Sequence, residues 1–180
     1  MSRKRRASIK TNEKEIGHLR GPNGHRLCRF CKKEVAPPRK TFCSDACVHE
    51  WRIRSDSKYL RKLVYERDLG QCSLCQTDTR YVKIELENAA RAAMRDSGRW
   101  YWDDHPIYLA ELQRFSLTVK EAKKSLWQAD HVVEVADGGG ECDLANLVTL
   151  CIPCHKRKTA ETRAHRAQAM REAKRKRSVI

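Results

Sequence analysis

No run of apolar residues in this 180-residue chain approaches the ~20 that a membrane-spanning helix needs. The amino-terminal stretch also lacks the apolar centre of a secretory signal. The first absence excludes a transmembrane helix and the second argues against export. An intracellular setting is therefore expected, cytoplasmic in a bacterium or phage and nuclear in a eukaryote. Acidic residues are scarce as well: 23 Asp and Glu stand against 38 Lys and Arg, a net charge of +15. The surplus is concentrated at the two ends, in SRKRRASIK and REAKRKR. Such a distribution points to a polyanionic partner, nucleic acid before membrane, rather than to a generally soluble basic surface.

Cysteine is present in excess. Eight of the nine cysteines form four close pairs, Cys28/Cys31, Cys43/Cys47, Cys72/Cys75 and Cys151/Cys154, and Cys142 stands alone. In a reducing compartment disulfides are rare, so this density points to metal. Eight thiolates suffice for two tetrahedral zinc sites, one from Cys28, Cys31, Cys43 and Cys47 and one from Cys72, Cys75, Cys151 and Cys154. The run CIPCH, Cys151 to His155, also fits a c-type haem attachment. That alternative is disfavoured, because such attachment normally occurs outside the cytoplasm and would leave Cys72 and Cys75 without a partner.

Along the chain, residues 1–24 read as a basic flexible tail and 25–55 as a four-cysteine zinc module, with Ser44 or Asp45 capping a helix that carries the second pair. Residues 56–180 form the remaining domain. Within it Asp56 or Ser57 starts a helix, and residues 77–124 read as a helical insertion. The aromatic group Trp100, Tyr101 and Trp102 in that insertion is expected to serve core packing before base stacking. Residues 125–160 read as strand, glycine turn at Gly138–Gly140, strand and helix, with Pro153 in the first turn of the helix. The helix continues as a basic segment over 156–177, with ten Lys and Arg and two Glu. A run of one sign suits contacts with backbone phosphates.

Four residues in this last region carry the chemistry of phosphodiester hydrolysis. Histidine is the natural base near neutral pH, which His131 supplies. An Asn carboxamide can hold such a base in place, which Asn146 supplies. A hard divalent cation such as Mg²⁺ or Mn²⁺ accepts carboxylate oxygen, and Mn²⁺ also accepts imidazole, so Asp130 and His155 form a candidate pair of ligands. Cys154 and His155 lie about 100° apart around a helix, so they can serve different metals. Asp130 and His131 are adjacent, and both reach one substrate only if the strand bends or ends there.

The stretch ADH…GGG…ANLVTLCIPCH resembles the signature of the HNH endonuclease family. The resemblance implies a small zinc-stabilised α+β fold with a treble-clef-like ββα-metal core, to which the amino-terminal zinc module and the helical insertion are added. It implies that Asp130 and His155 bind the catalytic divalent ion (Mg²⁺ or Mn²⁺, with Zn²⁺ or Ni²⁺ as alternatives), that His131 is the general base and that Asn146 orients it. It also implies a structural Zn²⁺ at Cys72, Cys75, Cys151 and Cys154 and a DNA substrate, double-stranded or branched; the second structural Zn²⁺, at Cys28, Cys31, Cys43 and Cys47, is expected from the cysteine spacing alone. A longer resemblance, over about 28–165, is to HNH modules attached to annealing helicases. The present sequence carries no helicase motor, so such a motor would be a separate partner, or targeting would rest with the zinc module and the basic ends. RNA stays open as a substrate, because the chemistry is the same up to the 2′-hydroxyl. The alternative function is a non-catalytic, zinc-dependent nucleic-acid-binding protein.

Overall fold

The computed structural model describes residues 19–140 and 142–177, and it resolves into two compact units parted after Lys62. Most of the expected tail lies outside the described residues. Its last part, Gly21–Gly24, forms a turn in which Asn23 is held by the Glu34 carboxylate, at 2.8 Å from its backbone nitrogen and 2.6 Å from its side-chain nitrogen.

The first unit is organised around its cysteines. Cys28, Val35 and Cys47 form a small buried cluster against which Phe30 and Phe42 pack. Helix α1, Asp45–Ser55, begins where the Ser44 hydroxyl accepts a hydrogen bond from the Cys47 backbone N–H at 3.2 Å. One side chain therefore starts the helix and fixes a cysteine in its first turn. Helix α2, Ser57–Asp68, follows after a single residue, because the Asp56 carboxylate accepts from the backbone N–H groups of Lys58 and Tyr59.

The second unit has two packed parts. Helix α3, Thr79–Ser97, buries Val82, Leu86, Ala89 and Ala93 along one face, as the 3.6-residue period requires. It begins at the Asp78 side chain and ends at left-handed Gly98, and its apolar face packs on helix α4, Pro106–Arg114, through Tyr108 and Leu112. A one-turn helix α5, Val119–Ala122, carries a reciprocal cap between Thr118 and Glu121. Ile152 joins this same cluster. The helical segment is thus packed directly onto the strand–helix junction and is not a loose addition.

The other part is a two-stranded antiparallel sheet, β1, Trp127–His131, paired with β2, Leu147–Cys151. Trp127 lies opposite Cys151 and His131 opposite Leu147. Strand β2 passes without a break into helix α6, Ile152–Arg177. Of the three neighbouring aromatics, Trp102 packs on the helical core, whereas Trp100 is 80% exposed and Tyr101 is 46% exposed. The expected core role therefore holds for Trp102 alone. Among the described residues no helix is long and apolar enough to cross a membrane.

Candidate functional site

The two cysteine pairs that lie closest in sequence to a turn share one backbone design. In the first, the Cys28 N–H donates to the Lys33 carbonyl and the Lys32 N–H to the Cys28 carbonyl, with Lys32 at φ 63°. In the second, the Cys72 N–H donates to the Thr77 carbonyl and the Gln76 N–H to the Cys72 carbonyl, with Gln76 at φ 61°. A left-handed residue at the same position in each knuckle turns the chain back so that both sulfurs face one point.

The sulfurs of Cys28, Cys31, Cys43 and Cys47 all lie within 4.8 Å of one another, and so do those of Cys72, Cys75, Cys151 and Cys154. The sulfurs are 3.4 Å apart for Cys31–Cys43 and Cys43–Cys47 and 3.6 Å apart for Cys75–Cys151. A tetrahedral zinc with Zn–S bonds of about 2.3 Å places its sulfurs about 3.8 Å apart, so both groups could hold zinc. Burial pushes the Cys28 thiol up, but hydrogen bonds from Cys31, Cys43 and Phe30 bring it down to about 6. Cys75 is likewise brought down to about 6 against the effect of burial, chiefly by its bonds to Thr77. Hydrogen bonding with Cys47 and Cys31 pushes Cys43 up to about 12, and burial pushes Cys151 and Cys154 up. A cation that binds thiolate therefore finds Cys28 and Cys75 most ready to ionise, and must displace protons held more firmly at Cys43, Cys151 and Cys154.

Two of the candidate catalytic residues, Asp130 and His131, meet where β1 ends. Asp130 and His131 both line an open groove of about 260 Å³ between the strand and α6, together with Lys158, Thr162, Arg163 and Arg166. His131 is the last residue of β1, so the adjacent pair meets one groove at the strand end. Lys158 dominates the centre: its ammonium donates to the Asp130 carboxylate at 2.8 Å and also to the His131 carbonyl. His155 is half-buried and stands one helical turn before Lys158, outside the groove wall.

Asn146 closes the loop that leaves His131. Its side-chain oxygen accepts from the Val133 N–H at 2.8 Å, and its nitrogen donates to the carbonyls of Val133 at 2.9 Å and Gly140 at 3.1 Å. The sequence leads one to expect Asn146 to hold His131 in place; these contacts grip the backbone two residues beyond it. Gly139 is needed for the approach, since a Cβ there would collide with the Val133 carbonyl and the Asn146 side chain.

Sequence reasoning missed the supports of this site. Arg67, at the end of α2, donates to the carbonyls of Leu144 and Leu147, each at 2.6 Å, and Asp68 accepts from the Thr149 N–H at 2.9 Å. Burial pushes the Asp68 carboxyl up, but Arg67 and Thr149 hold it below its ordinary value. Arg166 pairs with Glu134 at 2.6 Å, tying α6 to the loop after β1. The only available hint was spacing: Lys158 and Thr162 fall on the helix face of His155.

Residues 118–161 match the family model for HNH endonuclease. Curated relatives include the DNA annealing helicase and endonuclease ZRANB3 of Homo sapiens and of Bos taurus, each 31% identical over 159 residues, and that of Mus musculus, 32% identical over 157 residues. These alignments cover 82–83% of this chain, which spans 14% of the length of each relative. The crystal structure of the human ZRANB3 HNH domain is 30% identical, with a TM-score of 0.41, over 65% of this chain and 97% of that one. The matched segment contains β1, the Asn146 turn, β2 and the start of α6, and it identifies this part of the chain as a member of the HNH endonuclease family.

Proposed function

We propose that this protein is a metal-dependent DNA endonuclease whose reaction takes place in the groove at the end of β1. The observation that carries the reading is the placement of Asp130 and His131 on one groove whose opposite wall is the basic face of α6. DNA is the preferred substrate because the ZRANB3 relatives are described as DNA annealing helicases and endonucleases. RNA is an arm of the test, and a separate motor partner goes with this reading. An intracellular site of action, nuclear in a eukaryote, goes with this reading.

Asp130 and His155 would hold the divalent ion. The carboxylate–imidazole set suits Mg²⁺ or Mn²⁺. Asp130 already attracts a cation, since the Lys158 ammonium lies 2.8 Å from its carboxylate. When bound, the ion supplies charge stabilisation to the scissile phosphate. His131 takes the proton of the attacking water on an imidazole nitrogen. Asn146 acts as a positioning residue, fixing the backbone that leaves His131. Arg163 and the outer turns of α6 supply positive charge to phosphates along the duplex.

The test compares wild type with His131→Ala on plasmid and on branched DNA, with RNA in parallel, in Mg²⁺ or Mn²⁺. Loss of the base should slow nicking by about 10²- to 10⁴-fold while DNA affinity is retained. Binding without cleavage by either protein, across metals and substrates, would leave the non-catalytic zinc-dependent binding protein as the correct reading.

A further inference from the structure

We propose that Lys158 is a built-in counter-cation for Asp130, displaced by the divalent ion and then used to bind substrate phosphate. The inference rests on the metal-dependent reading above. It starts from the fact that the Lys158 ammonium occupies the carboxylate which the ion would need, at 2.8 Å, while also donating to the His131 carbonyl. Lys158 and Asp130 side chains are 25% and 24% exposed, so their attraction is only partly screened by solvent.

Two other basic residues of α6 have carboxylate partners away from the candidate ion site. Lys156 pairs with Glu121 at 2.6 Å, and Arg166 with Glu134 and Asp137. Lys158 differs because its carboxylate partner belongs to the candidate ion site. The ammonium sits on one oxygen of the carboxylate, Oδ2, and a divalent ion on the same carboxylate would repel it. Entry of the ion therefore turns the ammonium out. The lysine stem is flexible and keeps three donors, and the groove beside it is lined by Thr162, Arg163 and Arg166. That is the path a phosphate would take, so the displaced charge moves from protein carboxylate to substrate.

The consequence is an ordered exchange. With the ammonium on Asp130, the Lys158 charge is directed at a protein carboxylate. With the ion, the centre carries both the ion and a released ammonium. Metal binding and phosphate binding are then coupled through one side chain.

The experiment uses the zinc-loaded protein without DNA and follows free Mn²⁺ by electron paramagnetic resonance. K158Q should bind Mn²⁺ about tenfold more tightly than wild type, the weight of one removed neighbouring charge, and K158R should match wild type. D130N should lose the ion. In Ca²⁺, K158Q should bind a short duplex several-fold more weakly, with a salt slope lower by about one. Zinc content confirms that each variant is folded. Equal or weaker Mn²⁺ binding by K158Q, with D130N deficient, overturns the role of Lys158. Mn²⁺ binding by D130N at wild-type affinity overturns the metal site itself. An unchanged salt slope overturns the transfer to phosphate.

Discussion

Asn146 is the residue at which a polar side chain does the most for the geometry of the site. Its carboxamide closes on both backbone groups of Val133 and on the Gly140 carbonyl, and its own carbonyl accepts from the Val132 N–H at 2.8 Å. The loop leaving His131 is thereby held at consecutive residues. An acid at this position keeps the acceptor and turns the donor nitrogen into an oxygen facing two carbonyls. Asn146→Asp should therefore damage the loop nearly as much as Asn146→Ala. Each is expected to cost about 1–3 kcal/mol of stability, with faster amide exchange at Val132 and Val133 and reduced nicking. Unchanged exchange at Val133 in both variants would show that Asn146 acts on the histidine ring and not through the chain.

At the scale of elements, the start of α6 is fixed by charge as well as by packing. Lys156 reaches Glu121, which also accepts from the Thr118 N–H and hydroxyl, so one carboxylate caps α5 and anchors α6. The Lys156 ammonium, helped by Thr118, holds the Glu121 carboxyl at about 2 against an ordinary 4.5. A depressed carboxylate contributes stability that is present above the unfolded value and lost as pH falls toward the folded one. This contact should therefore weaken between about pH 4.5 and 2. Glu121→Gln should lower stability at pH 7, by about 1 kcal/mol after allowance for solvent screening, and flatten the acid limb of a pH–stability curve. An unchanged acid limb would remove Glu121 from the set of stabilising groups. The helices themselves were legible, because Ser44, Asp56 and Thr118 are capping residues placed before the right patterns, and the cysteine spacings announced both knuckles. The partners of the basic run were not. Periodicity tells which face of α6 a lysine occupies, but Glu121 and Asp130 lie 35 and 28 residues away from the lysines they bind. Lys156, Arg157 and Lys158, which the charge run marks for phosphates, each also have a partner within the chain, with Arg157 turned toward Cys154 Sγ and Glu161.

For the whole molecule, each four-cysteine group lies within one compact unit, Cys28 to Cys47 in the first and Cys72 to Cys154 in the second. In the second, the sulfurs come from the knuckle after α2, the end of β2 and the start of α6, so a metal there joins segments some 80 residues apart, as Cys72 and Cys154 are. A small sheet of two strands cannot supply comparable stability, and a structural zinc can contribute ~10–16 kcal/mol of apparent binding energy. Two zinc ions per chain are therefore expected by elemental analysis and native mass spectrometry. Cys47→Ser should remove one ion and leave the groove able to bind DNA. Cys72→Ser should remove the other ion and unfold the sheet and the start of α6. Protons compete for the sulfurs, most strongly at Cys43, Cys151 and Cys154, whose thiols are pushed above their ordinary value. Chelator should thus extract both ions faster as pH falls. Loss of both ions from either single variant would show that the two groups act as one site, and a wild-type content of one ion would refute the eight-cysteine assignment.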